Sequence, residues 1–336
     1  MSPVSLVKSF PLVQCLCESH DNLLIKEKET ISLVSPETFL IIDSVPCTDY
    51  STKIVTSNDD SFSVLITPLF SNHVRLFNVV DLEIIDKTFD IKVENAFFKD
   101  ACFSNDSSKL FVLVDHIING EAESVLLLIS LTDFSYNYFF LNEGRKFDSL
   151  RFSKDNASLS LLDNQGKISF FSDGKIIKEI LLPPFHKLYF FDRGEIIIDA
   201  PLGFKVISRN GKVIRDISFL IPDEAINLTD KESILLARQQ YLHYQDVNDI
   251  SHLLSRSYGS ECLDLSIAKN YNFLFFLSSE KNLGNGTLYV FSLVDFSLVK
   301  TIKIKTKPLS LSYHGSNLAV ICQRGCYFYS VTPSES

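Results

Sequence analysis

The sequence predicts an all-β chain assembled from repeated four-stranded units. Three observations carry the prediction. Helical periodicity is scarce, and apolar segments of strand length are punctuated instead by clusters of Asn, Asp, Gly, Ser and Pro. A hairpin pattern recurs in which an apolar or aromatic anchor precedes a polar residue, with an aspartate often following in the turn. The anchors Val34, Phe77, Ile129, Phe171, Ile207, Gln245, Phe291 and Tyr329 recur at roughly 36 to 52 residues, the spacing of four-stranded propeller blades. Eight units align; seven is the alternative count, and either closes a single propeller domain over residues 1–336.

The elements follow in chain order. VSLVKSF (Val4–Phe10) is a strand left over before the first complete unit. TISLVSPETFLIIDSV carries the first anchor, and HVRLFNVVDLEIIDKTFDI (His73–Ile91) the second, with Phe77-Asn78 before the turn at Asp81. ACFSNDSSKLFVLV then ESVLLLISLTDFSYNYFFL form the third unit, whose turn holds Asp133. LRFSKDNASLSLLD leads into GKISFFSDGKIIKEILL, and LYFFDRGEIIIDA into GFKVISRNGKVIRDISFL. YLHYQDVNDISHLL is the sixth unit's outer hairpin; LDLSIAKNYNFLFFL and GTLYVFSLVDFSLVKTIKI make the seventh. LSLSYHGSNLAVIC and GCYFYSVTP supply three strands of the eighth, so Val4–Phe10 is expected to complete it. The expected blades run approximately 12–47, 48–91, 92–145, 146–184, 185–222, 223–259, 260–306, and 307–333 with 3–11. Inner strands covered on both faces should be almost wholly apolar, and outer strands such as LEIIDKTF diluted with charge.

On these anchors the chain resembles the WD40 family. The family's Trp-Asp dipeptide is replaced by Phe77-Asn78, Phe171-Ser172, Phe291-Ser292 and Tyr329-Ser330, and the opening Gly-His dipeptide is missing. The resemblance covers nearly the whole chain and brings no catalytic residues with it.

Composition narrows the function. The net charge of −9 argues against nucleic acid or anionic lipid as a direct partner, because phosphate contacts need a basic face. No apolar run approaches the ~18 residues of a membrane span, and the N-terminus lacks the pattern of a secretory leader. Seven cysteines without that leader read as reduced thiols of a cytoplasmic or nuclear protein.

No segment carries a catalytic, cofactor-binding or metal-binding motif. Cys15 and Cys17 share a strand face and Cys322 and Cys326 flank a turn, but these spacings match zinc sites poorly, and buried thiols are ordinary core residues. KTIKIKTKP (Lys300–Pro308) has the alternation of an outer strand, and the Phe-Arg-Arg-Gly motif of phosphoinositide-binding propellers is absent. Gly284-Asn285-Gly286 reads as a hairpin turn. Three longer interruptions, Thr67–His73, Asp115–Ser124 and Ser278–Gly286, all fall between second and third strands, where exposed loops would gather on one ring face. Phe70 and His73 in the first of these, with Phe185 in LPPFHK, are the expected partner-binding residues.

The expectation is therefore a non-enzymatic scaffold or adaptor within a eukaryotic multiprotein complex, holding protein partners and no small-molecule substrate. The alternative is a regulatory propeller resembling guanine-nucleotide exchange factors of the Sec12 type, acting on a small GTPase. Those share degenerate repeats but carry a glycine-rich N-terminal loop and a membrane span that this sequence lacks.

Overall fold

The computed structural model describes residues 4–10, 13–19, 22–49, 53–57, 59–66, 73–90, 96–118, 120–141, 146–152, 159–163, 165–182, 187–190, 196–200, 203–208, 211–218, 226–227, 233–238, 241–246, 253–257, 262–279, 284–295 and 297–332. They form eight four-stranded antiparallel sheets, here numbered I to VIII along the chain. Their residues are 15–46, 53–90, 96–140, 147–181, 187–218, 226–257, 262–304, and 308–331. In sheets I to VII the strands lie in chain order, so each is a meander of three hairpins. In sheet VIII, Val4–Phe10 pairs antiparallel with Gly325–Val331 and takes the fourth place, as the leftover strand predicted. The chain divides into two compact units. Gln14–Phe219 contains sheets I to V, and Met1–Val13 with Leu220–Ser336 contains sheets VI to VIII.

Burial follows strand position. Asn317–Cys322, a second strand, is buried along its whole length, whereas the fourth strands Ile41–Pro46 and Lys175–Leu181 are largely exposed. The reason is packing of consecutive sheets. Apolar clusters straddle sheets I–II, II–III, III–IV and IV–V in the larger unit, and VII–VIII in the smaller.

Every anchor lies on a third strand, and Val34, Phe77, Ile129, Phe171, Ile207, Phe291 and Tyr329 are buried. In five sheets the anchor also marks a slip in pairing with the fourth strand: Val34, Phe171, Ile207, Phe291 and Tyr329 each stand at a β-bulge. The residue squeezed out of register is Ile42, Ile177, Ile214, Val299 and Val7 respectively, always β-branched and always exposed. Bulges increase twist and turn an edge strand away from foreign strands, so these exposed aliphatics have a structural origin.

First strands bulge too, at Lys99, Asp148, Leu263 and Leu309. In sheets III and VII the next residue is an aspartate that reaches the following sheet. Asp100 Oδ2 accepts the Leu150 N–H at 3.2 Å, and Asp264 Oδ2 accepts the Leu311 N–H at 2.7 Å. A carboxylate thus satisfies a backbone donor freed by the neighbour's bulge and pegs the two sheets together.

One expectation is corrected. Asp115–Ser124 is a continuation of a hairpin stem, with Asp115 opposite Ser124, His116 opposite Glu123, Ile117 opposite Ala122 and Ile118 opposite Glu121. Its polar residues look like a loop in sequence, but Asp115 and Ser124 are buried against each other and keep the ladder going.

Candidate functional site

Of the three expected partner-binding residues, Phe70 and Phe185 lie outside the described residues. His73 opens the third strand of sheet II, half-buried, with Nε2 3.5 Å from Asp49 Oδ2. The same aspartate accepts from Arg75 Nη1 at 3.3 Å, while Arg75 Nη2 donates to Pro46 O at 2.9 Å and the guanidinium pairs with Asp86 and lies over the Phe77 ring. Burial works against the Arg75 charge, but the bonds to Asp86 and Asp49 outweigh it and raise its pKa. At the neighbouring end of sheet I, Lys26 is fully buried, and burial lowers its pKa. Its ammonium donates to the carbonyls of Glu27, of Lys28 at 3.3 Å and of Cys47 at 2.8 Å. Three donors meet three acceptors, so Lys26 is a brace for the turn and the exit of the sheet. His73 therefore sits on a corner whose cations are spent on structure.

A buried arrangement that brings Ser, His and Asp near one another is equally occupied. Ser124 Oγ donates to Asp115 and accepts the Phe147 N–H at 3.0 Å. His116 is the next residue on the strand, so it points to the opposite face, toward Glu123 and Phe140. It cannot serve as base to that hydroxyl, and no acyl-transfer triad results. Among the described residues no group of three His, Cys, Asp or Glu side chains could hold a metal ion. Burial pushes the thiols of Cys322 and Cys326 up, away from the reactive thiolate.

A cleft between sheets III and IV has the shape of a binding site. It measures about 390 Å³ and is walled by Phe111, Leu128 and Phe139 on one side and Phe152, Leu159 and Phe171 on the other. Phe111 stacks on Phe152 with centroids 5.4 Å apart, and Phe139 meets Phe171 edge-on at 5.3 Å, so the walls are rigid aromatic pairs. Lys109 and Asp173, both exposed, stand at the mouth with Ser172 and Gly174. The mouth is shaped by a two-residue turn with positive φ at Asp173 and Gly174, the geometry of a type I′ hairpin. A Cβ on Gly174 would come within 3.0 Å of the Phe139 ring, so glycine lets the turn close over that wall.

The cleft lies at the end of its sheets that carries the third-to-fourth-strand turns. His73 lies at the other end, where the second strand of its sheet gives way to the third. The sequence did hold a signal for the cleft, the anchor pair Phe171-Ser172 followed by Asp-Gly. The partner wall, 32 residues upstream at Phe139, is placed only by the packing of one sheet on the next.

No family model and no curated protein matches the chain. Among solved structures it is similar to the C-terminal WD40 domain of Sif2, with a TM-score of 0.72 at 12% identity over 98% of this chain and 99% of that one. It is similar to a chain of the mitotic checkpoint complex, TM-score 0.58 at 12% identity over 83% of this chain and 86% of that one. It is also similar to the dihydro-heme d1 dehydrogenase NirN, TM-score 0.66 at 13% identity over 89% of this chain and 68% of that one. At such identities the likeness establishes the fold. The chain has a β-propeller fold like that of the WD40 domain of Sif2.

Proposed function

We propose that this propeller is a non-enzymatic interaction subunit, a scaffold or adaptor in a eukaryotic multiprotein complex of the cytoplasm or nucleus, and that the cleft between sheets III and IV receives a large apolar side chain of a protein partner. The observation that carries the reading is the cleft itself: aromatic walls, a polar mouth, and no acid, base or nucleophile within its lining apart from the mouth residues Lys109, Ser172 and Asp173. Pockets of this size and composition bind by burying apolar area while a few polar groups at the rim set orientation. The similarity to a chain of the mitotic checkpoint complex supports a place among protein partners. The similarity to NirN, a dehydrogenase, is one of fold at 13% identity.

Affinity purification from cells with the parent chain and with Ser172→Trp tests this. Ser172 is half-buried at the cleft mouth, so the indole fills the space without removing a wall. The principal partner should be lost from the Ser172→Trp sample while the melting temperature stays within a few degrees. A partner retained at full stoichiometry would refute the assignment of the cleft.

A further inference from the structure

A second surface of the larger unit has the properties of a docking face. The fourth strands of sheets I and II, Ile41–Pro46 and Glu83–Asp90, run side by side, bridged where Asp43 Oδ2 accepts the Ile84 N–H at 2.7 Å. Within four residues of that bond stand Leu40, Ile41, Ile42, Val80, Leu82 and Ile85, all substantially exposed, with Leu40 at 65%, Ile41 at 56% and Leu82 at 51%. Ile42 is accounted for by the bulge opposite Val34; the other five are not. Scattered exposed aliphatics need no explanation, but six gathered where two fourth strands and the turns leading into them meet do.

The backbone adds an independent mark. Leu82 and Asp81 form the two-residue turn of sheet II with φ of 67° and 50°. That left-handed conformation favours Asn or Gly, and a leucine there is strained. The matching turn residues of the flanking sheets are covered. Phe39 in sheet I is buried, and Phe134 in sheet III packs on Phe62 and Phe89 beneath the Lys87 ammonium. Leu82 instead projects into solvent. Strain of this kind persists where an exposed side chain has a use.

The charge pattern says what that use is. Segments 35–43 and 78–86 contain five acidic residues and not one Lys or Arg. Asp43 is engaged by the Ile84 N–H and Asp86 by Arg75, which leaves Glu37, Asp81 and Glu83 exposed around the aliphatic patch with no ion pair to a described residue. We infer that this face docks a basic amphipathic segment of a protein partner, its apolar side laid across Leu40, Ile41, Leu82 and Ile85 and its Lys or Arg flanks set against Glu37, Asp81 and Glu83. A second copy of this chain fits poorly, since it would bring the same acids against themselves. An anionic membrane is repelled for the same reason.

The probe is a short fluorescent peptide with Leu and Lys at helical spacing, and its control has Glu in place of every Lys. Fluorescence anisotropy should show binding of the Leu/Lys peptide alone. Leu82→Gly is the decisive variant, because Asp-Gly is the preferred sequence for this turn. It should raise the melting temperature while weakening the peptide by about tenfold. Asp81→Lys with Glu83→Lys should weaken it further, and Ser172→Trp, which blocks the separate cleft, should leave it unchanged. No binding of the Leu/Lys peptide, equal binding of the Leu/Glu peptide, undiminished binding by Leu82→Gly, or a dimer in sedimentation that Leu82→Gly dissolves would each overturn the inference.

Discussion

Glycines 284 and 286 look interchangeable in sequence, both read as turn residues, and the structure gives them different duties. Gly284 has φ of 63° with open space where a Cβ would stand. Gly286 opens a third strand in sheet VII, paired with Ser279 on one side and Ile304 on the other. A Cβ there would sit 2.6 Å from the Ser278 carbonyl oxygen and 2.5 Å from Pro308 Cγ on the next sheet's first strand. The close approach of two sheets requires that glycine, and no local pattern could have announced it. Gly286→Ala should therefore destabilise by about 1–3 kcal/mol through overpacking, whereas Gly284→Asn, which tolerates left-handed φ, should cost far less. Denaturant unfolding of the two variants checks this; equal losses would mean that the turn governs both positions.

At the scale of the hairpin, short polar turns set the repeat's register. Ser104 Oγ and Ser108 Oγ donate to Asp106 Oδ1 at 2.5 and 2.8 Å, and the Ser108 N–H at 3.1 Å. Ser57, Asp59 and Ser61 repeat this geometry in the sheet before, and Asp133 with Ser135 and Asp295 with Ser297 repeat its second half between third and fourth strands. The aspartates that recur in sequence at 133 and 295 are thus turn clamps, whereas Asp81 lies in a two-residue turn with φ of 50°. What was not visible is how far strands continue past such polar residues, as at Asp115–Ser124, because the group that satisfies Ser124 comes from Phe147 on the next sheet. The bond from the Ser104 hydroxyl, then those from Ser108, hold the Asp106 carboxyl below its ordinary 3.8. A folded-state pKa below the unfolded one contributes stability that is present above the unfolded value and lost as pH falls through the folded value. Stability should accordingly decline below about pH 3.8, and the decline should be shallower in Asp106→Asn. Urea midpoints across acid pH provide the measurement, and an unchanged slope in the variant would remove the clamp from the account.

Across the whole chain, the sheet that joins the two termini was legible by counting strands, but the way it is held was not. Val4–Phe10 reads as a strand of uniform value, yet only its first and last residues are buried. Val4 is fully buried in the apolar cluster of sheets VII and VIII, and Phe10 meets Phe328 edge-on at 5.7 Å. Between them Leu6 and Val7 face solvent around the bulge, and the remaining hold is backbone pairing, the Ser5–Ser330 hydroxyl contact at 3.0 Å and the Lys300 ammonium on the Val4 carbonyl. Two buried side chains at about 1.5–3 kcal/mol each, with ladder hydrogen bonds at about 0.5–1.5 kcal/mol apiece, amount to several kcal/mol. That is a large share of a typical stability of about 5–15 kcal/mol. Deleting residues 1–10 also uncovers the edge of Gly325–Val331, whose unpaired backbone groups would recruit foreign strands. The truncated chain should melt well below the parent and aggregate on concentration. Because the strand is pinned at its ends, Val4→Ser with Phe10→Ala should reproduce most of that loss, while Leu6→Ser with Val7→Ser should leave the melting temperature close to the parent's. Calorimetry and light scattering on the three variants decide the matter: equal damage from both substitution pairs would mean that the strand is held along its length, and a truncated chain as stable as the parent would mean that sheet VIII does not depend on it.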